Sequence, residues 1–116
     1  MNTLRNTVSL IGRLGAQPEV VKLESGRALA RFNIATNEPY KNKKGEWQDQ
    51  TQWHTIKAWG KLGEVVSKRL KKGQEVAIEG RIVYSEYESK TGEKRFATNI
   101  DLREFLIINS MNDAKK

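Results

Sequence analysis

The chain has 116 residues, enough for one hydrophobic core and too few for two. Its 21 Lys and Arg against 14 Asp and Glu leave a net charge of +7, which points to a polyanionic partner, either nucleic acid or an acidic membrane surface. The lack of cysteine excludes disulfides and thiolate chemistry, the single histidine argues against an all-protein zinc site, and no apolar run is long enough to span a bilayer.

In chain order, Asn6 to Leu14 reads as a first strand, with Val8, Leu10 and Gly12 alternating against Thr7, Ser9 and Ile11. The Gly15-Ala16-Gln17-Pro18 segment breaks it, and Glu19 to Leu23 reads as a bent continuation before a turn at Glu24-Ser25-Gly26-Arg27. Ala28 to Thr36 forms a second strand, with Ala28, Ala30, Phe32 and Ile34 on one face and Arg31 and Asn33 on the other. Asn37 to Thr51 is a long polar loop holding Tyr40, the cluster Lys41-Asn42-Lys43-Lys44 and Trp47. It is either a functional loop or a solvated hairpin tip, since Glu38, Glu46 and Asp49 cancel its charge, and Trp47 could pack the hairpin's own stem.

The next stretch, Gln52-Trp53-His54-Thr55-Ile56-Lys57-Ala58-Trp59, organises the rest. As a strand it places Trp53, Thr55, Lys57 and Trp59 on one side and His54, Ile56 and Ala58 on the other. Two tryptophans with a lysine between them form a platform for stacking bases if that side is wet; the alternative is that the tryptophans face the core. The parity of His54 gives it a structural hydrogen bond and no acid–base partner constellation.

Lys61 to Leu70 reads as the helix, with Leu62, Val65, Val66 and Leu70 on its apolar face and Gly73 placed to end it. Lys68, Arg69, Lys71 and Lys72 sit where a helix dipole favours cations. Glu75 to Tyr84 alternates again, with Val76, Ile78, Gly80 and Ile82 opposite Arg81 and Val83. A second long hairpin turns through Ser89 to Glu93, flanked by Tyr87 and Phe96, and a last strand runs from Arg95 to about Ile108. The run Phe105 to Ile108 is too apolar for plain alternation and predicts a bulge or sheet crossing near Arg103-Glu104, or a contact between subunits. The order strand, strand, strand, helix, strand, strand is that of an all-β OB-fold, a five-stranded Greek-key barrel with its helix between strands three and four and long hairpin loops. The barrel is expected over residues 1–109, followed by a short polar end at 110–116.

From Asn6 to about Ile108 the chain resembles the bacterial single-stranded DNA-binding proteins, the homotetrameric OB-fold type. The resemblance is carried by Gly12-Arg13-Leu14-Gly15 with Pro18-Glu19-Val20, by Phe32-Asn33-Ile34-Ala35-Thr36, and by Gln50-Thr51-Gln52-Trp53-His54. It continues through Gly60-Lys61-Leu62, Lys72-Gly73 and Ile78-Glu79-Gly80. It implies sequence-independent binding and protection of single-stranded DNA in replication, recombination and repair, in the cytoplasm and at the nucleoid, with no catalytic group, metal or cofactor. The family's stacking aromatics fall at Tyr40, Trp53, Trp59 and Tyr87. The first and last are tryptophans in the best-known members, so tyrosine there implies weaker stacking; the third is more often phenylalanine. Arg31, Lys57 and Arg81, on polar strand faces, and Lys43 of the loop cluster are the candidate phosphate contacts.

The resemblance further implies a homotetramer, with a dimer as the alternative. Most members carry a long Gly-, Pro- and Gln-rich extension whose acidic tip docks repair and replication enzymes; here the sequence stops at Asn112-Asp113-Ala114-Lys115-Lys116, so recruitment through a tip is not expected from this chain. Two rivals stand beside this reading. One is a related dimeric OB-fold accessory of replication restart, which needs fewer stacking aromatics. The other is a small enzyme acting on nucleic acid, which would need clustered carboxylates for metal ions where Asp49, Asp101 and Asp113 lie in unrelated segments.

Overall fold

The computed structural model describes residues 5–23 and 25–109. Alternating apolar residues build six strands: β1 (Val8–Leu14), β2 (Glu19–Lys22), β3 (Ala28–Lys41), β4 (Trp47–Trp59), β5 (Glu75–Glu88) and β6 (Lys94–Asn109). One helix, α1 (Gly60–Arg69), separates β4 from β5. Hydrogen bonding runs β1-β5-β6-β4-β3, and β3 returns to β1 through Arg13↔Ala35 and Leu14↔Ile34, which closes a five-stranded barrel. The short β2 adds to the free edge of β3, as expected of a bent continuation of the first strand. All pairings are antiparallel except β4 with β6, which meet in parallel at Ile56↔Ile100 and Lys57↔Asp101. The architecture is the OB-fold that the element order predicts.

The barrel interior is filled by the inward set of each strand: Leu14, Ala30, Phe32, Ile34, Ile56, Ala58, Val76, Ile78, Ile100 and Leu102. Removing each large aliphatic or aromatic side chain of this set from water contributes roughly 1.5–3 kcal/mol. From α1, Val66 and the following Leu70 plug one end of the barrel. Gly63 lets the helix sit close, because a Cβ there would lie 2.5 Å from the Ala58 carbonyl oxygen and 3.1 Å from the Ala30 nitrogen.

Several boundaries differ from the sequence reading, each for a local reason. The first strand begins at Val8 because Asn6 bonds β5 with its side chain, donating to the Ile82 carbonyl and accepting from the Ile82 N–H. The polar stretch from Asn37 to Thr51 is not a loop but the outer half of a long hairpin. The Asn42 side-chain oxygen accepts from the N–H groups of Lys44 and Glu46, and Gly45 supplies a φ of 82°, so the turn is confined to a few residues. The strand β5 likewise extends past Tyr84 to Glu88. The helix ends before Gly73: Leu70 is already extended, and Gly73, with φ 89°, shapes the turn into β5. Val65, placed by periodicity on the apolar face, is exposed at its margin. The turn residue Glu24 and the polar end at 110–116 lie outside the described residues.

The bulge expected near Arg103 is present. Glu79 pairs with Glu104 and Gly80 with Leu102, so Arg103 is the extra residue and the parity of β6 reverses beyond it. Ile100 and Leu102 point inward before the bulge, whereas Phe105 and Ile107 do so after it. Leu106 and Ile108 are thereby turned outward, which accounts for the unbroken apolar run.

Candidate nucleic-acid interface

The two long hairpins project from the barrel and share one outer surface. In β3 and β4 the cross-strand pairs run without a break from Leu29↔Trp59 to Lys41↔Trp47, so odd-numbered residues of both strands occupy a single face. That face carries Trp53, Thr55, Lys57 and Trp59, while Ile56 and Ala58 are fully buried behind it. Trp53 is 61 % exposed, which rules out the reading in which both indoles are sealed in the core.

Trp53 rests on Gly15: a Cβ at that glycine would come within 2.7 Å of the indole Cζ3. Behind it, Thr36 Oγ1 and His54 Nε2 are hydrogen-bonded at 3.0 Å, tying β3 to β4 where the hairpin leaves the barrel. This is the structural role that parity gives His54. Trp59 is held differently. It is half-buried, its Nε1–H donates to Asp101 Oδ1 at 3.2 Å, and the Arg27 guanidinium lies 4.9 Å from its ring centroid. One side of that ring is therefore covered by a cation and its edge is fixed.

Across the sheet, Arg31 pairs with Lys57, Lys57 with Asp101, and Asp101 with Arg81, so these charges form one row on the outer face. Arg31 bonds Glu19 at 3.0 Å and Arg81 meets Asp101 at 3.5 Å. The Arg31–Glu19 pair is exposed on both sides and contributes at most about 1 kcal/mol, whereas Asp101 is only 23 % exposed and is also held by the Trp59 Nε1–H. Among the described residues Lys57 makes no ion pair. Lys43 is exposed in the β3–β4 turn, beyond the row.

Tyr87 lies on the same outer face of β5, directly opposite Arg95 of β6, and is exposed. Tyr40 does not share this face: it pairs with Gln48 on the reverse of the β3–β4 ribbon. The structure thus brings Trp53, Lys57, Trp59, Arg31, Arg81 and Tyr87 onto one surface and leaves Tyr40 behind it. Arg95, Arg27 and Asp101 escaped the sequence reading. Counting outward from the turn closed by the Ser89 and Glu93 backbones pairs Tyr87 with Arg95, a signal that was available. The contacts of Trp59 with Arg27 and Asp101 depend on the barrel's closure and have no counterpart in local spacing.

The fold and its outer sheet define the chain as an OB barrel that displays aromatic rings between cations. The chain is a member of the Single-strand binding protein family, whose profile matches residues 5–108. It is 46 % identical to the single-stranded DNA-binding protein 1 of Chlorobaculum tepidum over 96 residues, covering 82 % of this chain and 59 % of that protein. It is 39 % identical to the single-stranded DNA-binding protein of Neisseria meningitidis over 108 residues, covering 93 % of this chain and 62 % of that one. The chain therefore spans about three-fifths of the length of these relatives. Among solved structures, the Plasmodium falciparum protein in complex with single-stranded DNA superposes with a TM-score of 0.81 at 26 % identity, covering 90 % of this chain and 95 % of that one. A deletion mutant of the Thermus aquaticus single-stranded DNA binding protein gives a TM-score of 0.79 at 26 % identity, over 92 % of this chain and 52 % of that one.

Proposed function

We propose that this protein binds single-stranded DNA without regard to sequence and shields it during replication, recombination and repair. Unpaired bases lie on Trp53, on Tyr87 and on the side of Trp59 away from Arg27, while Lys57, Arg31, Arg81 and Lys43 meet the phosphates. Tyr40 is reached by a strand that turns over the edge of the β3–β4 hairpin. The observation that carries this reading is the exposed Trp53 indole on the same strand face as Lys57 and Trp59. Every base offers a π-face, so stacking tolerates any sequence; for single-strand-binding OB barrels as a class it contributes about 1–3 kcal/mol per base. The family membership and the likeness to the Plasmodium falciparum complex support the choice of ligand. Such a protein acts wherever DNA is unpaired, in the cytoplasm and at the nucleoid. We further infer that copies assemble through the outward apolar residues of β1 and β6, as a homotetramer or, failing that, a dimer.

Titration with oligo-dT, followed by tryptophan quenching, tests the binding reading. Trp53→Ala is expected to lose about 1–3 kcal/mol of binding while the barrel melts at an unchanged temperature. Lys57→Ala is expected to flatten the dependence of log K on log salt by roughly 0.7 for each phosphate that the lysine neutralises. Equal binding by wild type and Trp53→Ala, or tighter binding to duplex than to oligo-dT, would overturn the proposal.

A further inference from the structure

We propose that Trp47 is an additional base-stacking residue, which carries the Trp53 platform outward along the β3–β4 hairpin. The inference rests on the stacking reading above and extends it to a residue outside the four aromatic positions of that reading.

Three observations place Trp47 there. First, the unbroken register puts it on the face of Trp53 and Trp59, opposite Lys41, whereas Tyr40 pairs with Gln48 on the reverse. Second, the side of its ring away from Lys41 is free for a ligand. Trp47 is 67 % exposed, and its described ring contact is the Lys41 Nζ, 5.3 Å from the ring centroid. The hairpin does not depend on that ring, since its turn is closed by Asn42 and Gly45 and its stem by backbone pairing. Third, the charge fits. Lys41 over Trp47 repeats at the tip the cation-over-indole contact that Arg27 makes with Trp59 at the barrel, and Asp49 is the one acid between Trp47 and Trp53 on that face.

The reverse face of the same ribbon carries Tyr40 with Glu38 and the glutamines at 48, 50 and 52, and no cation. The other exposed ring pair, Tyr84 and Phe96, lies on the reverse of the β5–β6 hairpin beside Glu86 and Glu88, and the one cation there, Lys94, is already paired with Glu86 at 3.6 Å. Of the exposed rings outside the recognised positions, Trp47 is therefore the one whose surroundings suit a polyanion.

Trp47 and Trp53 are six residues apart on one strand, about 20 Å at roughly 3.3 Å per residue. A short oligonucleotide held at Trp53 does not reach Trp47, and a longer one does. The test is a titration with oligo-dT from about 4 to about 16 nucleotides per protomer, using wild type, Trp47→Ala, Trp47→Phe and Trp53→Ala. Trp47→Ala is expected to bind the shortest oligonucleotides as wild type does and the longest about 5-fold or more weakly, with Trp47→Phe recovering most of the loss. Unchanged binding by Trp47→Ala at every length, with Trp53→Ala impaired, would overturn this inference and leave the platform standing. Unchanged binding by Trp53→Ala as well would remove the platform itself. A thermal melt of Trp47→Ala within a degree or so of wild type is the accompanying check, because an exposed tip residue contributes little to stability.

Discussion

Gly15 shows how a residue without a side chain can set the posture of an exposed indole. Its N–H donates to the Asn33 carbonyl at 3.2 Å, and the space where a side chain would stand is taken by the Trp53 indole. A glycine's absent Cβ normally matters for its backbone dihedrals; here φ lies outside the left-handed region and the requirement is room. Gly15→Val should therefore lift or tilt the indole while leaving the barrel intact, since Gly15 is itself exposed. We expect oligo-dT affinity to fall by about 5-fold or more, part of the full stacking contribution, with the melting temperature nearly unchanged. Binding at wild-type strength would mean that the indole has other stable orientations equally open to a base. The same scale explains why Trp59 differs from Trp53 despite their shared strand face. A ring whose edge is bonded to Asp101 and whose side lies under Arg27 is pre-positioned and loses little freedom on binding, but offers less surface.

At the scale of elements, the docking of α1 depends on backbone against backbone. Alanine at position 63 would gain about 1 kcal/mol of helix propensity over glycine. Its methyl, however, would meet the Ala58 carbonyl oxygen and the Ala30 nitrogen, which belong to paired strands and cannot withdraw as a side-chain tip can. Overpacking of this kind costs about 1–3 kcal/mol, so Gly63→Ala should be net destabilised by on the order of 1 kcal/mol, lowering Tm by roughly 4–8 °C. A raised Tm would show that propensity outweighs the clash and that the helix can shift. Periodicity could not expose this contact, because a glycine in a helical pattern carries no signal of what lies across from it. What alternation made legible was the two-faced character of the strands, with Phe32 and Ile34 in and Arg31 and Asn33 out; for β4 it separated Trp53 and Lys57 from Ile56 and Ala58, and the family resemblance was needed to say which side was wet. The bulge near Arg103 was legible for the same reason, since an apolar run from Phe105 to Ile108 cannot alternate. The β5–β6 hairpin was legible through its turn at Ser89–Glu93, but the β3–β4 arm was not. Its strands are largely polar on both faces, so alternation fades and only the turn at Asn42–Gly45 marks the pairing that puts Trp47 on the outer side and Tyr40 on the reverse.

For the whole molecule, the outward side of β1, β5 and β6 is the counterpart of the face that carries Trp53, Lys57 and Trp59. Ile11, Leu106 and Ile108 are exposed there, Leu106 at 67 %, beside a groove of about 740 Å³ that Ala77 and Phe105 also line, together with the polar Ser9, Glu79 and Glu104. From Val8 to Gly12, β1 pairs with β5 along one edge and, among the described residues, has no strand on the other. The apolar row Ile11, Ala77 and Leu106, next to an unpaired strand edge, is a liability for a monomer and a natural seam for two copies related by a two-fold axis. Placing a charge in the seam separates the alternatives. Leu106→Asp should fold, because the side chain lies outside the core, yet sediment at a lower mass than wild type. Its affinity for oligonucleotides long enough to cross several protomers should fall far more than its affinity for short ones, because linked sites act at high effective concentration only while the copies remain together. A Leu106→Asp protein that keeps the wild-type mass, or a wild type that already sediments as a single chain, would remove this surface from the assembly and leave each barrel to hold its strand of DNA alone.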